Sequence, residues 1–107
     1  MVMKRGEVWW ADLPVPVGRR PVVLLSRDEA YAVRSAVTVA EITSTIRGIP
    51  VEVKLGLEDG LPKKCVANLD TIITIRKSLL IERIALLKPD KIEQINTAIK
   101  FALDIPR

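Results

Sequence analysis

Apolar residues recur at two different periods along this chain. From Gly6 to Leu87 they come in short runs or alternate with polar residues; from Pro89 onward they recur three and four apart. The first stretch reads as strands, the second as a helix. Gly6–Leu13, G-E-V-W-W-A-D-L, predicts the first strand. Strand side chains alternate, so Trp9 and Trp10 point to opposite faces: one fills a core and the other lies nearer the surface. The outer tryptophan is either a platform on which a base stacks or simple packing at the rim.

Val22–Leu25 is a continuous apolar run with β-branched residues, the mark of a buried strand. Further strands are predicted over Ala36–Ile46, Val51–Leu55, Cys65–Ile75 and Ile81–Leu87. On simple alternation, Val37, Val39, Glu41, Thr43 and Thr45 share one face of the third strand, and Ile42, Ser44 and Ile46 the other. The same rule puts Ala67, Leu69 and Ile73 together on the fifth strand, with Val66 and Ile72 opposite.

Punctuation falls between these runs. Pro14–Gly18 is a Pro- and Gly-rich connection, and Arg47–Pro50 and Asp59-Gly60 are turns. Ser26–Arg34 predicts a short helical turn with Ser26 as its N-cap. Pro89 suits a first helical position, with Asp90 and Glu93 near the positive end of the helix. Ile92, Ile95, Ile99, Ala102 and Leu103 form the apolar face, and Pro106 stops the helix. The expectation is mainly β: a small, strongly bent sheet or barrel with a short mid-chain helix and a C-terminal amphipathic helix. One domain over residues 1–107 is expected.

Composition narrows the chemistry. The chain has no histidine and one cysteine, Cys65. The commonest general base and the commonest zinc ligand are therefore missing, and no metal or cofactor is expected. The formal net charge of +4 suits an anionic partner. No apolar run approaches the roughly 18 residues of a membrane helix and no signal peptide is visible, which predicts a cytoplasmic protein.

The stretch Gly18–Ser26, G-R-R-P-V-V-L-L-S, carries two arginines in a loop at the mouth of an apolar strand. Pro21 biases Arg20 toward an extended backbone. Arg19 and Arg20 are thus either rigidly mounted cations or ordinary solvated charges. Thr43 is equally open: a hydroxyl that orients a phosphate, or a β-branched residue filling a strand. Glu41 shares its face and is either a candidate acid/base or groove residue, or a partner for an arginine.

The ordered set of motifs resembles the MazF/PemK family of toxin endoribonucleases from toxin–antitoxin pairs. It comprises K-R-G-E-V-W-W-A-D-L (Lys4–Leu13), R-P-V-V-L-L-S (Arg20–Ser26) and V-A-E-I-T-S-T-I (Val39–Ile46). It continues through V-E-V, the asparagine-containing fifth strand and the closing helix, over essentially the whole chain.

The resemblance implies an SH3-like barrel with an added helix, a homodimer, and single-stranded RNA in a basic groove. It implies cleavage by attack of the ribose 2′-hydroxyl on the adjacent phosphate, without metal. The family's catalytic arginine, in its R-P-V motif, lands on Arg20, and its catalytic threonine, in its I-T motif, on Thr43. Arg19, Trp10, Ser44, Arg47 and Arg76 are then the expected RNA-binding residues. A cognate acidic antitoxin would cover the same groove.

Two departures stand out. Pro14–Gly18 is short and has no carboxylate, and the fifth strand has Ile73 where many relatives have arginine, with Arg76 three residues on. Two other functions are compatible with such a barrel: a non-catalytic poison of DNA gyrase, or a plain nucleic-acid-binding module.

Overall fold

The computed structural model describes residues 2–106. Strands β1 (Glu7–Asp12), β2 (Arg19–Leu24), β3 (Ala36–Thr43), β4 (Glu52–Leu55), β5 (Cys65–Arg76) and β6 (Leu80–Leu86) form one sheet. A short helix α1 (Ala30–Val33) precedes β3, and α2 (Pro89–Ala102) ends the chain. The sheet order is β4-β5-β3-β2-β1-β6, with every neighbouring pair antiparallel. β4 and β6 are its edges, so the expected barrel is an open, curled half-barrel rather than a closed one.

Both sheet faces are apolar. Val8, Val23, Ala40, Ile42, Ala67 and Leu69 belong to one buried cluster, completed by Ile95 and Ala98 of α2. Trp9, Val22, Leu24, Val37, Val39 and Ile75 belong to a second, completed by Tyr31 and Leu80. Bulges add local twist and bend. The β1–β6 ladder shifts between Val8 and Trp9 and again between Trp10 and Ala11.

The largest bulge lies in β5. Ala40 pairs with Ile72 but Ile42 pairs with Ala67, so β5 carries three extra residues against β3. An odd insertion reverses the alternation beyond it. Ile72 therefore packs with Ala67 and Leu69, while Ile73 packs against the other cluster, the reverse of the expected faces. Asn68 Oδ1 accepts the Asp70 N–H at 2.8 Å and Thr71 Oγ1 donates to the Asn68 carbonyl at 2.8 Å, closing the bulge locally.

Several boundaries differ from expectation. β2 begins at Arg19 rather than Val22, so both arginines are on the strand, paired with Asp12 and Ala11 of β1. Gly18, at φ +71°, makes the left-handed turn into it. β3 ends at Thr43, three residues early. Ser26 caps no helix: its Oγ accepts the Thr38 N–H at 2.8 Å, and its carbonyl accepts the Tyr31 hydroxyl at 3.0 Å. Serine's small hydroxyl is spent on tying the β2–β3 connection together.

α2 follows the sequence closely, with Pro89 in its first turn and Ile95 and Ala98 buried. Among the described residues, no helix is long and apolar enough to cross a membrane.

Candidate nucleic-acid interface

The β2–β3 ladder runs from Leu24↔Val39 to Val22↔Glu41 and stops. Pro21 explains the stop. The Leu25 N–H donates to the Thr38 carbonyl, toward β3, so by alternation the backbone nitrogens of Val23 and Pro21 face β3 as well. Proline has no hydrogen there, and the ladder cannot continue. Beyond that point β2 and β3 are no longer zipped, and Arg20 and Thr43 stand on the two sides of the opening.

The same alternation fixes which face they share. Arg20 shares the parity of Val22 and Leu24, and Glu41 and Thr43 share that of Val39, so all three polar side chains emerge from the face of the second cluster. Glu41 Oε1 accepts from Arg20 Nη1 at 3.1 Å. This is a single-point contact. It leaves the remaining N–H groups of the guanidinium available to an anion. Thr43 Oγ1 accepts the Thr45 N–H at 3.1 Å, which pins the hydroxyl oxygen and directs its own proton elsewhere.

Two clefts meet at this pair. One, of about 260 Å³, is walled by Trp10, Pro21, Leu61 and Pro62 and carries Arg19, Lys63 and Ser44. The other, of about 280 Å³, is lined by Glu41, Thr45, Arg47, Asn68 and Thr71. Arg20 and Thr43 line both. The first is apolar-walled with cations; the second is polar throughout.

Most residues singled out in the sequence thus come together. Trp10 is half-buried and reaches the first cleft, whereas Trp9 is buried and donates its ring N–H to Glu7 at 3.0 Å. Ser44 reaches the same cleft as Thr43 despite its opposite parity, because the strand ends before it. Arg47 lines the second cleft while its backbone is held by Glu52.

Arg76 does not join them. It pairs with Ala36, at the opposite end of β3 from Thr43, and lines a separate depression with Lys77. Ile73 is half-buried against the second cluster.

Cys65 also borders the first cleft, but it is buried. Burial, and then the nearby Asp59 charge, push its thiol above the ordinary range, which keeps it protonated and unreactive at neutral pH. Asn68, Thr71 and Lys63 were not singled out by the sequence reading. The run N-L-D-T inside an otherwise apolar strand is the signal, since Asn and Asp favour local turns. Among the described residues, no group of three His, Cys, Asp or Glu side chains gathers as a metal cluster would.

Chemically, the pair offers a cation held by Glu41 and a hydroxyl on the edge shared by two clefts. An arginine fork matches two phosphate oxygens and stays charged at any accessible pH. The surrounding Arg19, Arg47 and Lys63 add positive charge along a path for a polyanion.

Known proteins match this chain over nearly its whole length in sequence and in fold. A Mycobacterium tuberculosis protein named "Probable endoribonuclease MazF5" is 39% identical over 104 residues, covering 96% of this chain and 94% of its own. The structure of the Mycobacterium tuberculosis toxin MazF-mt6 superimposes with a TM-score of 0.88 at 31% identity, over 94% of this chain and 99% of that one. A mycobacterial endoribonuclease solved in complex with its cognate antitoxin gives a TM-score of 0.86 at 30% identity, over 98% of both chains. The sequence model for PemK-like, MazF-like toxins of type II toxin–antitoxin systems matches residues 4–103. With nearly the whole chain accounted for in sequence and in fold, this protein belongs to the PemK-like, MazF-like toxin family.

Proposed function

We propose that the chain is the toxin of a toxin–antitoxin pair and cuts single-stranded RNA by internal transesterification. The observation that carries this reading is that Arg20 and Thr43 are the shared rim of the two clefts. A phosphate seated on the rim places its two flanking nucleotides in the two hollows.

The 2′-oxygen forms a bond to phosphorus and the bond to the 5′-oxygen breaks. The products are a 2′,3′-cyclic phosphate and a 5′-hydroxyl, and the proton lost by the 2′-hydroxyl is balanced by one gained at the 5′-oxygen. Arg20 stabilises the doubly charged, five-coordinate phosphorus through its free N–H groups. It is a poor base, since a guanidinium does not give up its proton in a protein. Thr43 donates its hydroxyl proton to a phosphate oxygen. Glu41 is the one carboxylate lining either cleft among the described residues, and its contact holds Arg20 in aim. All these roles use side chains of the chain alone.

Two partners follow from the same reading. A second copy of the chain extends the site, because one small basic domain is too short to hold a long single strand. An acidic antitoxin segment covers the cationic clefts and competes with RNA, folding as it binds. The mycobacterial relative solved with its cognate antitoxin supports a partner of that kind.

The experiment is incubation of the purified protein with single-stranded RNA in EDTA, with product ends identified. Cleavage leaving cyclic or 3′-phosphate and 5′-hydroxyl ends is expected. A 2′-deoxyribose at the mapped site should abolish the cut, since the nucleophile is gone. Persistent cutting of that substrate overturns the mechanism, and no cleavage of any RNA favours a binding-only barrel.

A further inference from the structure

The two clefts beside Arg20 differ in chemistry, and that difference assigns them different tasks. The Trp10 cleft offers an aromatic face, two prolines and cations. Stacking on an aromatic ring takes any base, because every base has a π face. The Asn68 cleft offers no aromatic or aliphatic wall; each residue lining it is polar or charged.

The hydrogen bonds already made by Asn68, Thr71 and Glu41 define what these three side chains still present. Asn68 Oδ1 is occupied by the Asp70 N–H at 2.8 Å, so its amide nitrogen is left as a donor. Thr71 Oγ1 spends its proton on the Asn68 carbonyl at 2.8 Å, which leaves its oxygen as an acceptor. Glu41 uses Oε1 on Arg20 at 3.1 Å, which leaves Oε2 as a second acceptor. The bulge of β5 holds Asn68 and Thr71 in these roles through its own internal bonds. These three residues thus present two acceptors and one amide donor, and the Thr43 and Thr45 hydroxyls and the Arg20 and Arg47 cations line the rest of the cleft.

A base that satisfies this set needs two donors and one acceptor on its pairing edge. Guanine has them: N1–H and the N2 amino group as donors, O6 as acceptor. Adenine has one donor there, and cytosine and uracil each have one donor flanked by or next to two acceptors. A carboxylate facing uracil would meet two carbonyl oxygens.

We propose that the Asn68 cleft is a base-reading subsite that selects a guanine flanking the scissile phosphate, while the Trp10 cleft holds the other flanking base by stacking without regard to its identity. This rests on the RNA-cleaving reading given above. It makes the β5 bulge, rather than the Arg20–Thr43 pair, the seat of sequence choice.

The test uses DNA oligonucleotides carrying one ribonucleotide, so that a single phosphate is cleavable, with each base in turn on either side of it. Guanine on one side should be cut about tenfold or more faster than any other base, the scale expected of one well-made base contact. Inosine, which lacks the N2 amino group, should lose most of that advantage. Asn68→Asp keeps the oxygen that binds Asp70 but replaces the donor with an acceptor, and should shrink the preference several-fold. Trp10→Ala should slow all members by a similar factor and leave the preference standing. Where the oligonucleotides prove too short to be cut, sites mapped in a long mixed-sequence RNA read the same preference.

Cleavage with no base preference on either side, with preference for another base, or with a preference that Asn68→Asp leaves intact overturns the subsite and leaves the nuclease standing. No cleavage of any RNA overturns both.

Discussion

Arg20 Nη1 and Glu41 Oε1 lie 3.1 Å apart, on adjacent strands one step diagonal to each other. The Glu41 side chain is 15% exposed and that of Arg20 35%, so the pair is partly shielded from water. The carboxylate holds one corner of the fork and leaves the rest for a phosphate. Glu41 therefore sets the angle of the guanidinium.

Replacing Glu41 by Gln keeps the shape and one hydrogen-bond acceptor but removes the charge that fixes Arg20. We expect kcat to fall about tenfold, the scale of one weakened positioning contact. On a site without guanine beside the scissile phosphate, where the Glu41 Oε2 contact to the base is not made, KM should stay within about twofold, since phosphate binding by the cation survives. Steady-state kinetics on a site-mapped RNA separates the two parameters. A large rise in KM with kcat unchanged would show that Glu41 acts on binding alone.

Thr43→Ala removes the hydroxyl and leaves the Thr45 N–H without its acceptor. Cleavage should fall about a hundredfold, as for loss of one aimed donor in a transition-state site. Thr43→Ser retains the hydroxyl and should keep a substantial part of the rate. Equal activity in the Ala and Ser variants would reassign Thr43 to strand packing.

Tyr31 is the one tyrosine of the chain and reports cleanly on its own environment. Burial is the main cause that pushes its phenol from 10.0 up to about 12; its hydroxyl donates to the Ser26 carbonyl at 3.0 Å. The folded state favours the neutral form. Its contribution to stability is complete below the unfolded value of 10.0 and is lost as pH rises toward 12. Ultraviolet titration of the native protein should show the phenolate appearing about two units late, and unfolding should become easier across that window. Tyr31→Phe should flatten the alkaline dependence.

Gly60 ends the 3-10 turn Leu57–Asp59 at φ +90°, and a Cβ there would come within 2.8 Å of the Ala85 Cβ in β6. Both the backbone and the space demand glycine. Gly60→Ala should cost about 2 kcal/mol in a urea unfolding curve. Ala85→Gly in the same chain should return part of it, because it removes the steric half of the penalty and leaves the left-handed backbone.

The order of elements was legible because apolar periodicity carries it: six strands and the closing helix fall where Trp9, Val23, Val39, Ala67 and Ile95 put them. The pairing of Arg20 with Thr43 was legible through the R-P-V and I-T motifs, and Pro21 supplies the physical reason the strands part there. What stayed hidden depends on distant registers. The odd bulge in β5 follows from how β5 meets β3, and no local pattern around Ile72 and Ile73 announces it. Ser26 has the look of a helix cap, and its hydroxyl goes instead to Thr38, twelve residues away. Arg76 is close to the expected arginine position in sequence, yet the length of β5 carries it to the far end of the sheet.

The central claim is that Arg20 stabilises the transition state of RNA cleavage. Its most direct test is the single-turnover rate of Arg20→Ala on a site-mapped single-stranded RNA at saturating protein, with folding verified by circular dichroism. The predicted result is a folded protein that binds RNA and cuts it at least about a hundredfold more slowly, with Arg20→Lys recovering little because an ammonium cannot make the two-point contact. A folded Arg20→Ala protein cutting at the wild-type rate would contradict it.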